Sequence, residues 1–327
     1  MKNINWMTTR LISLKLTSEL WSNMVPKDNA DILENTLRKK GNLLDIFLTD
    51  RTTKKNIIWA TDSYERIGKE FAPKKRIRPE LVTGIYGKLI QPRAIKSLEE
   101  QRRRTKDKGE VFTPLRIVEH INHLIDLSSV NESNWQAYVS ELKLEIACGE
   151  APFIVSRYNP IAHGTVIKIE NRVGFLDRKL HIVSRFCNKP KEWLKWAKVA
   201  FQSSYGYEWQ GDNLLIAREN LLYTLIDYYK AKFNRNPSLT IQEEFAEIIS
   251  WNIFQMDGIK YVIPMSCHHE TKVTPGELAL FWETPDIVEK YECEGCKFNR
   301  PTKHNGKYAK TMDWTRNKSV RIIDLVI

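Results

Sequence analysis

Three short segments put groups able to hold a nucleoside-type ligand directly behind apolar runs. Leu144-Glu145-Ile146-Ala147 leads into Cys148-Gly149-Glu150-Ala151-Pro152-Phe153, a tight turn in which Gly149 lets the backbone come close to a ligand. Gly206-Tyr207 leads into Glu208, and an acidic side chain at a strand end can accept hydrogen bonds from both hydroxyls of a ribose. Asn252-Ile253-Phe254-Gln255-Met256 leads into Asp257-Gly258, where a carboxylate can accept from the exocyclic amine of an adenine ring. Each segment alone is ordinary: a turn, a surface acid, a β-turn. Their order and their shared position at strand ends give them weight together. A separate set comprises Cys267-His268-His269, Cys293-Glu294-Gly295-Cys296 and His304. Cys267, Cys293, Cys296 and His304 could form a tetrahedral zinc knot, closed to substrate and therefore structural. The competing reading is two reduced cysteines flanking a glycine turn, since no second Cys-x-x-Cys completes the pattern.

The elements that must position these groups show in the periodicity. Residues 11–21 and 31–48 carry apolar side chains at helical spacing, and Asn56-Ile57-Ile58-Trp59-Ala60 reads as a short buried strand. Between 66 and 96, Gly68, Pro73, Pro79, Gly84, Gly87 and Pro92 punctuate a basic stretch of loops and short strands, and a linker-like basic run continues to Lys108. From Pro114, Ile117, Val118, Ile121, Leu124 and Ile125 share a helical face. A helix is expected from near Ala151-Pro152, with further helices over 193–201, 213–233 and 241–249 and strands near 206–209 and 252–255. Residues 319–327 read as a nearly continuous apolar strand. Strands alternating with helices predict a doubly wound α/β protein with a parallel sheet covered on both faces, in which ligands bind at the carboxyl ends of the strands.

The charge is uneven. Net charge is +11, and residues 1–110 hold 24 Lys and Arg against 14 Asp and Glu, while the remainder holds 27 against 26. The concentrated runs are Lys74, Lys75, Arg76 and Arg78, then Arg102, Arg103 and Arg104, which marks the first third as the expected contact for a polyanion such as double-stranded DNA. Trp59, Tyr64 and Tyr86 are candidates to stack on bases. Five Cys are too few for a disulfide scaffold, and neither a membrane span nor a secretory signal is visible, so a cytoplasmic protein without membrane contact is expected.

Four segments taken together resemble the adenine-specific DNA methyltransferases of restriction-modification systems, over about residues 105–260. Gly109-Glu110-Val111-Phe112-Thr113-Pro114 is similar to that family's Phe-Thr-Pro loop, and residues 145–153 to its Asp-Pro-Ala-Cys-Gly-Ser-Gly-Asn-Phe cofactor loop. Residues 206–208 with 212–222 resemble its acidic ribose-binding strand and helix, and residues 252–258 the strand whose Asp meets the cofactor's adenine. The resemblance implies a Rossmann-like fold that binds S-adenosylmethionine, with Phe112, Thr113 and Pro114 on the methionine side, Ala147, Cys148, Gly149 and Glu150 beneath it, Glu208 at the ribose and Asp257 at the adenine. It implies a methyltransferase-like domain over 106–327, to which the charge and periodicity add a basic mixed α/β amino-terminal region (1–105) and the cysteine and histidine positions a Cys/His-containing insertion at 264–310.

The departures are as informative. The family's catalytic signature, Asn-Pro-Pro followed by an aromatic, holds the flipped adenine and occurs nowhere in these residues. Residues 320–327 resemble the strand that leads into it. Glu150 and Pro152 stand where the cofactor loop has a small polar residue and a Gly. The expected function is methyl transfer to the exocyclic amine of adenine, alone or with a partner such as a restriction or specificity subunit. The alternatives are a non-catalytic DNA-recognition or modification subunit and, behind it, a magnesium-dependent nuclease built on Asp126 with Glu141-Leu142-Lys143.

Overall fold

The computed structural model describes residues 36–110, 113–126, 130–159, 165–274, 278–279, 282–283 and 287–326. The expected helix over 11–21 lies outside them. A 3-10 turn, Thr36–Lys39, precedes helix α1 (Leu43–Leu48) and a short hairpin of β1 (Thr49–Asp50) and β2 (Lys55–Asn56). Residues 57–97 run as extended stretches and 3-10 turns, followed by α2 (Leu98–Lys108), α3 (Leu115–Ile125) and α4 (Trp135–Ser140). Then come β3 (Lys143–Glu145), α5 (Phe175–Phe186), α6 (Pro190–Gln202), β4 (Ser204–Glu208), α7 (Gly211–Phe233), α8 (Leu239–Asn252) and β5 (Ile253–Gln255). A ribbon of β6 (Glu270–Thr274) carries β7 (Leu278–Ala279) paired with β8 (Trp282–Glu283), and returns as β9 (Ile287–Tyr291). Helix α9 (Glu294–Phe298), a hairpin of β10 (Lys310–Asp313) and β11 (Lys318–Arg321), and α10 (Ile323–Val326) complete the described chain.

The protein is mixed α/β. Its central feature is a parallel sheet ordered β3-β4-β5, each crossover carrying a pair of helices. Register fixes the two faces. Lys143 and Glu145 share one with Ser204, Gly206, Glu208, Ile253 and Gln255, all buried, while Leu144, Tyr205, Tyr207 and Phe254 share the other. That second face is covered over β5 by Met256, Ile263, Ala309 and Ile322 packing on Phe254, and Tyr205 donates to the Met312 carbonyl of β10. Over β3 it is open: Leu142, Leu144 and Ile146 are 73%, 54% and 68% exposed. The second face is thus covered in part, and by a carboxyl-terminal hairpin rather than by the helices expected there.

Four sequence expectations give way. The helix over 31–48 is reduced, within its described part, to a 3-10 turn and α1, separated at residues 40–42. The linker-like run ending at Lys108 is α2, because Ser97 accepts the Glu100 amide as an N-cap and Gly109, at φ +66°, ends the helix in the left-handed conformation. No helix begins at Ala151. Ala147, Gly149 and Ala151 all have positive φ (48°, 54° and 65°), so the backbone turns repeatedly instead of coiling, and the next α-helix is α5. Residues 319–326 are not one continuous strand: only 319–321 belong to β11, which returns antiparallel on β10 after a turn pinned by Asp313, whose Oδ1 accepts the Thr315 and Arg316 amides, and the chain then coils into α10.

One hydrophobic core runs across the expected boundary at residue 105, joining Leu37, Phe47, Trp59 and Ile77 to Leu176, Trp193, Leu214, Phe245 and Ile253. Polar groups stitch the same seam. Arg38 pairs with Glu219 at 2.6 Å, Arg218 donates to the Phe47 and Thr49 carbonyls, and Gln255 bonds the amide and the carbonyl of Ile58 at 3.0 and 2.8 Å. Residues 36–105 are part of the same packed body as the sheet. Among the described residues no helix is long and apolar enough to cross a membrane.

Candidate functional site

The loops after β3, β4 and β5 converge on a cleft of about 960 Å³ lined by Ala147, Cys148, Gly149 and Glu150 from the first, Glu208 and Gln210 from the second, and Asp257 and Gly258 from the third. Parallel strands of adjacent register deliver the three turns to one edge of the sheet. Cys148 extends the pairing by donating its amide to the Tyr207 carbonyl at 2.8 Å, and this sets Gly149 against β4. The Gly149 amide donates to Glu208 Oε2 at 2.8 Å and the Gln210 amide to Oε1 at 3.0 Å. Each Glu208 oxygen keeps a second lone pair for a ligand hydroxyl. Burial pushes the Glu208 carboxyl up to about 7, reinforced by the charges of Asp212 and Glu110 and opposed by the two amide donors.

Asp257 organises its own turn, with Oδ1 accepting the Ile259 and Lys260 amides at 3.0 and 3.1 Å. Oδ2 takes part in neither bond, and the residue lines the cleft. The Glu145 carboxylate accepts the Phe153 and Ile154 amides beneath the first loop, and burial raises its pKa well above the usual carboxylate range. Glu150 lines the cleft with its side chain engaged behind the loop. It is buried, accepts the Arg93 amide at 2.7 Å on Oε1 and the Tyr158 hydroxyl on Oε2, and so pins the loop from behind.

A buried polar network closes the opposite wall. Arg104 bonds both oxygens of Glu110, at 2.9 and 2.8 Å from Nε, and Asp212 Oδ2 at 2.7 Å, where the Tyr64 hydroxyl also donates. Burial alone would raise the Glu110 and Asp212 pKa values, but the adjacent Arg104 guanidinium outweighs it and holds both carboxyls below their usual range. The Gln210 and Asn213 side-chain amides donate to Glu110 Oε1 at 3.0 Å each, so Gln210 Oε1 and Asn213 Oδ1 are left as acceptors. Both oxygens are buried without a partner among the described residues, and both residues line the cleft. The network itself was not foreseen, although Glu110, two residues before Phe112, and Asp212 with Asn213 lie in the segments the resemblance singled out. Thr113 lines the cleft, Pro114 caps α3, and Phe112 lies outside the described residues.

The expected DNA contacts divide. Lys74, Lys75, Arg78, Arg102 and Arg103 are exposed, Arg78 pairing with Glu70 and Glu80, and Arg76 is half-buried against the Asn56 carbonyl. Arg104 is withdrawn: at 1% exposure it serves the buried network. Trp59 and Tyr64 are likewise core residues, packed on each other at 5.0 Å, and Tyr86 packs edge-on against Phe71. Trp59 and Tyr64 therefore lack the open ring face that base stacking needs, while Tyr86 is half-buried.

The nuclease grouping does come together, as an ion-pair lock. Lys143 Nζ lies 2.6 Å from Asp126, whose carboxylate also takes Tyr138 and Arg178, while Glu141 lies outermost at 3.5 Å from Lys143. An Asp engaged by three donors offers no metal-binding pair. The grouping that does suit a metal is Cys267, Cys293, Cys296 and His304, whose ligand atoms all lie within 4.8 Å of one another.

Comparison of the chain with protein-family models, with curated proteins and with solved structures returns no match.

Proposed function

We propose that this protein binds S-adenosylmethionine in the strand-end cleft and serves adenine methylation of DNA, with the aromatic catalytic loop supplied from outside residues 1–327. The observation that carries the reading is the meeting of Gly149, Glu208 and Asp257, from three successive parallel strands, in one cleft of ligand-binding size. Glu208 would accept from the ribose hydroxyls and Asp257 Oδ2 from the adenine amine. Gln210 Oε1 and Asn213 Oδ1 suit the ammonium of the methionine end, because Glu110 has already taken their amide donors. The cofactor supplies an activated methyl group. The chain's own part is to orient it and to exclude water with the walls of the cleft.

Two observations bear on that loop. Residues 1–327 carry no Asn-Pro-Pro-aromatic signature, and among the described residues nothing covers Leu142, Leu144 and Ile146 on the open face of β3, an apolar patch that a further segment would bury. The exposed basic residues Lys74, Lys75, Arg102 and Arg103 would meet phosphates.

Calorimetric titration with S-adenosylmethionine tests the reading. Saturable binding, weakened at least tenfold by Glu208→Ala and by Asp257→Ala in folded protein, is expected. Absence of binding to folded wild-type protein, or affinity untouched by both changes, would overturn it.

A further inference from the structure

The geometry points to a zinc ion held by Cys267, Cys293, Cys296 and His304, an ion that fixes the lip of the cleft beside Asp257. Zinc bonds of about 2.3 Å to sulfur and about 2.05 Å to nitrogen, at the tetrahedral angle, set each sulfur about 3.6 Å from the nitrogen. The Sγ atoms of Cys267, Cys293 and Cys296 lie 3.6, 3.8 and 3.6 Å from His304 Nδ1. Three sulfurs equidistant from one imidazole nitrogen are poorly explained by hydrogen bonding, since a single ring nitrogen offers at most one proton or one lone pair in the ring plane. A central cation explains all three at once.

The surroundings are shaped for it. The four ligands come from three stretches, Cys267, Cys293 with Cys296, and His304, drawn together by the Val262–Tyr308 bridge and by the Ile263 amide on the Lys307 carbonyl at 2.8 Å. The Asn305 amide donates to Cys293 Sγ at 3.2 Å and Lys260 Nζ to Cys296 Sγ at 3.5 Å, which are donors that thiolates bound to a metal accept. Gly295 lies so close to His304 that a Cβ there would stand 2.6 Å from Nδ1. Three thiolates and one imidazole favour zinc over hard cations, and four protein ligands leave no position for substrate, so the ion is structural. Its role follows from its place. Trp209, Asp257 and Met265 line both the main cleft and the smaller cavity that Cys267, Cys293 and Cys296 border. The ribbon β6–β9 springs from between Cys267 and Cys293.

Metal analysis of the full chain purified without chelator should find one zinc per molecule. Cys293→Ser and Cys296→Ser should lose it, and Cys187→Ala, a change to a buried cysteine outside the cluster, should keep it. Because the serine variants can fail to fold, titration of wild-type protein with a mercurial, with released zinc read by a chromogenic chelator, provides a second measurement: zinc should leave as three thiols react. Folded wild-type protein without zinc, iron in its place, or full zinc retention in Cys293→Ser would overturn the assignment. Failure of cofactor binding would not, since the metal measurement needs no cofactor.

Discussion

Glu208 is pulled two ways. Burial favours its neutral form, while a ligand that donates hydroxyls favours its charge. With its pKa lifted from 4.5 to about 7, the folded protein holds a proton more tightly than the unfolded chain, so this group's contribution to stability declines as pH rises from about 4.5 to about 7 and is level above. Cofactor affinity should move the other way, rising about tenfold between pH 6 and pH 8 as the binding-competent carboxylate fills. Glu208→Gln should flatten both profiles, which calorimetry and denaturant titration at the two pH values will read; parallel profiles for variant and wild type would count against the role. Arg104 makes a second residue-scale case. It neutralises Glu110 and Asp212 where both are buried, and Arg104→Met would leave Asp212 without its ion-pair partner and Glu110 with only Arg93 at 3.8 Å, at a cost of about 3–5 kcal/mol. An unfolding free energy, measured by urea titration, that falls by less than about 1 kcal/mol would show that the network is dispensable.

Among the elements, α2 separates two roles of basic residues that look alike in sequence. Arg104 turns inward, while Arg102 and Arg103 remain exposed one turn from the capped end. Replacing both exposed arginines with Ala should lower the slope of log affinity for duplex DNA against log salt by about 1.8, and leave titration with S-adenosylmethionine unchanged. An unaltered salt slope would exclude α2 from the interface. The same helix shows why part of the fold was legible and part was not. The strands before Cys148, Glu208 and Asp257 were readable because short apolar runs end in turn residues, and α6, α7 and α8 because their apolar positions repeat at helical spacing. Helix α5 was hidden by its buried charges. Asp177 accepts the Ser156 amide at 2.7 Å, and Lys179 donates to the Glu141 carbonyl at 2.6 Å and to Ser203 Oγ at 2.7 Å, so two core positions carry polar residue types. The Cys/His cluster was legible as ligand types, but its closeness depends on a bridge between residues 262 and 308 that no local pattern encodes.

At the scale of the molecule, composition divides the chain near residue 105, and packing does not. Lys74, Lys75, Arg78, Arg102 and Arg103 of the charge excess face solvent, where they say nothing about what lies beneath, while Arg38, Lys96 and Arg104 are buried. Beneath, Leu37, Phe47 and Trp59 are at most 1% exposed and belong to the same core as Leu214 and Ile253. The buried Arg218 side chain depends on the Phe47 and Thr49 carbonyls as well as on those of Ser250 and Ile253. Removing residues 1–105 would therefore expose a large apolar face and strand a buried guanidinium with half its acceptors, on a protein whose total stability is of the order of 5–15 kcal/mol. A fragment of residues 106–327 should show no cooperative thermal transition and should expose apolar surface to a hydrophobic dye, whereas the full chain should unfold as one unit. A fragment that folds cooperatively and binds S-adenosylmethionine as tightly as the full chain would mean that the amino-terminal part merely leans on a self-sufficient domain. The core shared across the seam and the Arg38, Arg218 and Gln255 bonds argue for one cooperative body, in which the basic surface and the cleft keep a fixed relation to each other.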